Sequence, residues 1–344
     1  MSESNVKIHI NNLTKIFGAS PSSMLPLVEQ GIGKGKLLEE HDHVLALDRV
    51  NMQLNAHSIE VIMGLSGSGK STLVRHINRL IAPTSGSVLV DGEDVCAMSD
   101  KTLRDFRQRK TAMVFQNFAL LPHRTVIDNI AFGLEVRGVG RTQLNEKSYF
   151  WLDKVGLAGL DRHYPAQLSG GMQQRVGLAR ALACDADILM MDEAFSALDP
   201  LIRSDMQDIL LELQKDLRKT IVFITHDLDE ALKIGDRIAI LNQGRLVQQG
   251  STEDILLRPA DGYVRRFVAD VNRTGVLRAR SIMALKWQQE KAQNNAVVVQ
   301  EDDTLRKVLH MMLKADSFNA VVTDEAGKAV GHIDADMVAQ AVNY

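Results

Sequence analysis

Nine consecutive residues, Gly64-Leu65-Ser66-Gly67-Ser68-Gly69-Lys70-Ser71-Thr72, satisfy the pattern G-x-x-x-x-G-K-[ST] in full. These residue types suit a polyphosphate. Glycines let the backbone wrap an anion, and a helix that starts inside the pattern aims its free N–H groups and positive dipole end at it. Lys70 is placed to reach the β- and γ-phosphates, and Ser71 to offer a hydroxyl to Mg²⁺. The flanks agree. The apolar run Ile59 to Met63 predicts a strand that ends at the loop, and Thr72 to Leu80 reads as a helix leaving it.

Other chemistry-bearing residues stand at the ends of apolar runs. Ile188-Leu189-Met190-Met191 leads into Asp192-Glu193, which predicts a buried strand ending in two carboxylates. Beside a phosphate loop, Asp192 suits Mg²⁺ and Glu193 can polarise an attacking water. Thr111 to Phe115 ends at Gln116, whose amide both accepts and donates, fitting a metal or an attacking water. Thr220 to Ile224 leads to His226. In an open α/β sheet, ligands sit at the carboxyl ends of strands, so Gln116, Asp192, Glu193 and His226 are expected together there. Ser169-Gly170-Gly171 precedes a helix expected from Met172 to Ala183, a second helix start suited to an anion. Phe17, at the end of a strand-like stretch, reads either as a face for a purine ring or as core.

The elements that must hold these groups alternate between strand and helix. Val6 to Ile10 and Leu45 to Leu54 alternate like half-buried strands, and residues 19–44 between them read as a short amphipathic insertion. Gly86 to Gly92 is a strand closing on an Asp-Gly turn, and residues 126–160 carry helical spacing. Arg237 to Gly250 reads as a hairpin. After a polar stretch near 270–275, the chain carries a small β-α-β-β-α pattern with no catalytic constellation. With 344 residues, 45% hydrophobic, there is material for one large domain and a small one. A net charge of −3 offers no global basic field for nucleic acid. Cys96 and Cys184 lack metal spacing and suit a reducing compartment. The N-terminus has no signal-peptide pattern, and no stretch approaches the ~18 apolar residues of a membrane span, so if the protein works at a membrane, other chains must hold it there.

In this order, the phosphate loop, Gln116, Leu168-Ser169-Gly170-Gly171-Met172-Gln173, Ile188 to Glu193, Ser196-Ala197-Leu198-Asp199 and His226 resemble the ABC ATPases. The resemblance covers residues 6–269 and implies ATP and Mg²⁺ as cofactors. It implies a P-loop NTPase fold of ABC type: a RecA-like core, an antiparallel β subdomain and a helical subdomain, with a small C-terminal α+β unit. By that resemblance Phe17 is the adenine-stacking aromatic, Gly64 to Thr72 the Walker A loop and Gln116 the Q-loop glutamine. Ser169, Gly170, Gly171 and Gln173 belong to the signature that meets the γ-phosphate held by a second copy. Asp192 is the Walker B aspartate, Glu193 the catalytic base, Ser196 to Asp199 the D-loop and His226 the switch histidine.

The insertion with Val28-Glu29-Gln30-Gly31, Phe118 to His123, and Asp192 to Arg203 resemble the ATP-binding subunits of glycine betaine, choline and proline importers. Ala194 stands where most ABC ATPases carry Pro, as in that branch. The expected organisation is an ATPase domain over 1–270 with a helical subdomain at about 117–170, a linker at 271–280, and one CBS-like motif at 281–344 where family members commonly carry two. Implied partners are a second copy in a head-to-tail ATP sandwich, transmembrane permease subunits and, indirectly, a solute-binding protein outside. The implied place is the cytoplasmic face of the membrane, and nucleic acid is not an expected partner.

Overall fold

Residues 6–116, 118–285 and 296–342 are described by the structure, a computed structural model. Met1 to Asn5, the opening residue of the expected helical subdomain (Asn117), part of the CBS-like stretch and the last two residues lie outside the described residues. The chain divides into two compact units, 1–249 and 250–344.

In the first unit, β1 (Val6–Phe17) and β2 (Val44–Asn55) pair antiparallel from Val6↔Asn55 to Phe17↔Val44. β3 (Ile59–Met63) runs into the phosphate loop. β4 (Ser85–Val90) pairs with the other side of β1, and β5 (Glu93–Asp94) follows through a tight turn. At that turn Asp91 and Gly92 take φ of 52° and 83°, the left-handed pair that suits the twist of a hairpin. The antiparallel sheet therefore has the order β2-β1-β4-β5.

The second sheet is built from β6 (Thr111–Phe115), β7 (Ile188–Asp192), β8 (Thr220–Ile224), β9 (Arg237–Asn242) and β10 (Arg245–Ser251), with β3 inserted in the order β10-β9-β3-β8-β7-β6. β3, β7 and β8 are buried at every residue, which explains why they read as largely apolar runs, Glu60 in β3 being the buried exception. Parallel register aligns Ile62, Ile224, Asp192 and Phe115 in one row across β3, β8, β7 and β6. Their carboxyl ends therefore reach one edge.

Helix Lys70–Ile77 leaves the loop and buries Leu73, Val74 and Ile77 in a core shared by both sheets, with Ile8, Leu47, Val88, Ile62, Met190 and Ile224. Burying such side chains stabilises by about 1.5–3 kcal/mol each, so the loop's exit is anchored firmly. Helices Val126–Val136, Arg141–Lys154 and Gly170–Ala183 pack on one another. The last begins at Gly170 rather than Met172. Ser169 accepts the N–H of Met172 as N-cap, so both glycines join the first turn. Buried Asn129 ties down the preceding loop, receiving the N–H of Leu121 and donating to the carbonyls of Leu121, Arg124 and Thr125.

The expected insertion consists of a 3₁₀ turn, Pro21–Met24, and helices Leu25–Glu29 and Lys34–His41. Val28 and Leu37 face a small core with Ile16 and Leu45, whereas Leu38 is exposed.

In the second unit β11 (Val297–Gln300) pairs parallel with β12 (Asn319–Thr323), and β12 antiparallel with β13 (Ala329–Asp334). Helices Leu305–Lys314 and Ala335–Val342 complete the β-α-β-β-α pattern over a core of Val299, Val308, Met312, Val322, Ile333 and Val338. The first unit ends at residue 249, against the expected 270, and the stretch 271–280 carries short helices. It holds helix Arg273–Val276 and the start of Ala279–Ile282, with Arg273 buried and its guanidinium donating to the Ala341 carbonyl. Polar composition suggested a linker there, but Arg273 buries its stem and finds a backbone acceptor.

Candidate active site

The row across β3, β8, β7 and β6 sets the geometry. One or two residues past it stand the phosphate loop, Thr225-His226, Glu193 and Gln116. The loop's own shape needs its glycines. Gly64 and Gly69 have φ of 150° and 103°, and an added Cβ would lie 2.2 Å from the Leu241 carbonyl oxygen and 2.7 Å from that of Ala46 respectively. Lys70, 5% exposed, folds back to donate to the carbonyls of Gly64 (2.8 Å) and Leu65 (3.2 Å). Burial pulls its ammonium below the ordinary lysine range, and Glu193 and Asp192 partly offset that. Ser68 is buried with no partner for its Oγ among the described residues. A glycine-lined cradle, a buried ammonium and an unpartnered buried hydroxyl fit the oxygens of a polyphosphate.

Ser71 Oγ donates to Asp192 Oδ1 at 2.7 Å, and Arg75 approaches Oδ2 at 3.4 Å. A hydroxyl and a carboxylate joined in this way fit Mg²⁺, which takes few protein oxygens beside those of a phosphate. Among the described residues no group of three or more His, Cys, Asp or Glu could hold a metal by itself.

Glu193 takes φ of 46°, a left-handed backbone uncommon for a residue with a side chain. Its N–H donates to the Ile224 carbonyl (3.1 Å), while its own carbonyl accepts from the N–H (3.2 Å) and hydroxyl (2.9 Å) of Ser196. The turn aims the carboxylate inward. Oε1 lies 3.8 Å from Lys70 Nζ, and Oε2 lies 3.7 Å from His226 Nδ1 and 3.4 Å from Gln116 Nε2. These distances are long, so no one partner claims the carboxylate. Gln116 also reaches Ser196 Oγ at 3.4 Å. Lys70, Ser71, Gln116, Asp192, Glu193 and His226 are thus drawn into one cluster.

The expected signature residues lie elsewhere. Ser169 and Gly170 are exposed, and Gln173 turns to the Leu168 carbonyl at 3.2 Å. Among the described residues, Ser169, Gly170, Gly171 and Gln173 make no hydrogen bond to the loop or to the cluster above. Phe17 is 41% exposed at the end of β1 with Lys15 Nζ 4.8 Å from its ring centre, which sets the core reading aside.

Three cationic side chains escaped sequence reasoning. Arg75 sits on Asp192, and Lys34 of the insertion donates to the Gly67 carbonyl at 3.1 Å. Arg203 bonds Asp227 at 3.0 Å and donates to the Leu198 carbonyl at 3.1 Å, tying the 196–199 turn to the segment after His226. Arg75 had a helical cue, one turn beyond Ser71, but Lys34 and Arg203 reach across folded chain with no spacing to give them away.

A family described as ABC transporter matches residues 47–196, and a CBS domain family matches 292–344. The chain is 47% identical over 337 residues to the glycine betaine/proline betaine transport system ATP-binding protein ProV of Escherichia coli (strain K12), covering 98% of this chain and 83% of that one. It is 40% identical to the trimethylamine N-oxide transport system ATP-binding protein TmoW of Pelagibacter ubique (strain HTCC1062), covering 97% of each. Among solved structures it is similar to the dimeric structure of MJ0796, a bacterial ABC transporter cassette. The TM-score is 0.61 at 30% identity, over 71% of this chain and 98% of that one.

Proposed function

This chain belongs to the ATP-binding proteins of ABC transporters and is an ATPase, and from that premise we propose that it powers import of a small quaternary ammonium solute: glycine betaine, proline betaine or choline. The convergence of four strand ends on the phosphate loop carries the hydrolytic part of this reading. The phosphate loop and Lys70 hold the β- and γ-phosphates, and Phe17 takes the adenine ring. Ser71, Asp192 and Gln116 would hold Mg²⁺, which when bound neutralises charge on the phosphates. Glu193 accepts the proton of the attacking water as it meets the γ-phosphate. His226 steadies the charge that develops there. The left-handed turn at Glu193 supports this role, since it holds the carboxylate free of a tight ion pair.

The signature completes the site from a second copy. Ser169 and Gly170 are exposed at a capped helix start and unconnected to their own loop, which suits a head-to-tail pair sharing two nucleotides. The dimeric cassette MJ0796 supports pairing of this kind. The helical region after Gln116 would pass opening and closing to permease subunits, with a solute-binding protein engaged only through them. Among the described residues no helix is long and apolar enough to cross a membrane. Permease subunits would therefore hold the chain at the cytoplasmic face.

Relatives named for glycine betaine support the solute class. A second solute, trimethylamine N-oxide, is favoured by the 40% identity to the Pelagibacter protein named for it, over 97% of each chain. ATPase activity of the complex reconstituted with its permease and binding protein decides among them. Stimulation by one of glycine betaine, proline betaine or choline is the expected result, and stimulation by trimethylamine N-oxide alone selects the second solute. No response to any of the four overturns the class.

A further inference from the structure

The segment 18–43 leaves the antiparallel sheet at Phe17 and returns at Val44, and those two residues pair with each other. Its neck is fastened. His43 is buried; its Nε2 lies 3.3 Å from the Ser20 backbone nitrogen and its Nδ1 2.5 Å from the His41 carbonyl oxygen. A Cβ on Gly18 would lie 2.2 Å from the His43 ring, so the chain passes as close as a glycine allows. Val28 and Leu37 pack with Ile16 and Leu45, the residues beside Phe17 and Val44. The segment is therefore a fixed attachment to the strand ends that flank Phe17.

It also touches the other end of the nucleotide site. Lys34, at the start of helix Lys34–His41, donates to the Gly67 carbonyl at 3.1 Å. β2, which the segment enters, packs under the same loop. The Ala46 carbonyl oxygen is 2.7 Å from where a Gly69 Cβ would stand, and the Asp48 N–H bonds to the Gly244 carbonyl at 2.9 Å. An ammonium has three donors, and Lys34 spends one on Gly67.

The geometry points to the insertion as a wall of the nucleotide site, with Lys34 an added cation at the rim of the phosphate loop for the polyphosphate of ATP. This deepens, and rests on, the reading of Gly64 to Thr72 as the nucleotide cradle. Lys34 acts through its charge on the bound anion, so its effect grows with the number of phosphates and falls with salt.

Calorimetric titration of the full chain with ATP and ADP, in EDTA and at about 0.05 M and 0.5 M salt, tests this. K34A weakens ATP binding about 2–5-fold and K34E about 10-fold at low salt. The loss is smaller for ADP, shrinks at high salt, and is restored by K34R. K70A serves as the reference for the cradle itself. If K34E binds ATP as the wild type does while K70A loses it, the inference falls and the cradle reading stands. Equal losses for both nucleotides, insensitive to salt and not restored by K34R, mark a packing role and also overturn it. If K70A binds as the wild type does, both fall.

Discussion

The two units bury different things. In the first, Lys70, Asp192, Glu60, Glu230, Asp48 and His76 are all buried, and most are within reach of an opposite charge or an amide. In the described part of the second, Arg273 and Thr323 are the buried polar residues, each with a backbone acceptor. Burying charge costs several kcal/mol unless partners compensate. A unit that carries many such groups has been shaped around something other than stability. The described core of the second unit, with Val299, Val308, Val322 and Ile333, is apolar.

The largest effect expected from breaking this contrast is at Glu193. E193Q keeps the shape and removes the base, and turnover should drop about 10²–10⁴-fold with ATP still bound. Steady-state phosphate release alongside nucleotide binding checks this, and unchanged turnover removes Glu193 from the role of base.

A core deletion in the second unit should act on stability alone. I333A, at a fully buried position in β13, should cost that unit about 2–5 kcal/mol. Calorimetric melting of the full chain should show the loss, with ATP turnover at 25 °C unmoved. A fall in turnover to match would mean that the second unit contributes to hydrolysis.

The smallest effect is a pH dependence. Glu60 in β3 is buried beside Arg237 and accepts from Gln249 at 2.5 Å, and burial pushes its carboxyl up to about 7 from an ordinary 4.5. Between those values the folded chain binds more protons than the unfolded one, so stability falls as pH rises through the window. The contribution is whole below 4.5 and is lost above 7. E60Q should flatten that slope and gain up to about 3 kcal/mol near pH 8. Urea unfolding at several pH values reads it, and parallel slopes for the two proteins would show that Glu60 is not the titrating group.

Lys70, Asp192, Glu193, Gln116 and His226 were legible because each belongs to a local pattern: a glycine loop between strand and helix, or a polar residue where an apolar run stops. Parallel strands then place such ends side by side. Phe17 was half legible. An aromatic at the end of an alternating strand suits core or ligand equally, and its exposure beside Lys15 came only with the fold. The burial of Arg273 was not legible, because the stretch around it is polar in composition.

By itself the sequence determined the phosphate-loop chemistry, the order of strands and helices, and the family, because these rest on residue types at short, regular separations. The tertiary structure alone decided that Lys34 meets Gly67, that Arg203 joins the segments after Glu193 and His226, and that Glu60 is buried beside Arg237. Those contacts link residues brought together by chain folding, and no periodicity along the backbone encodes them.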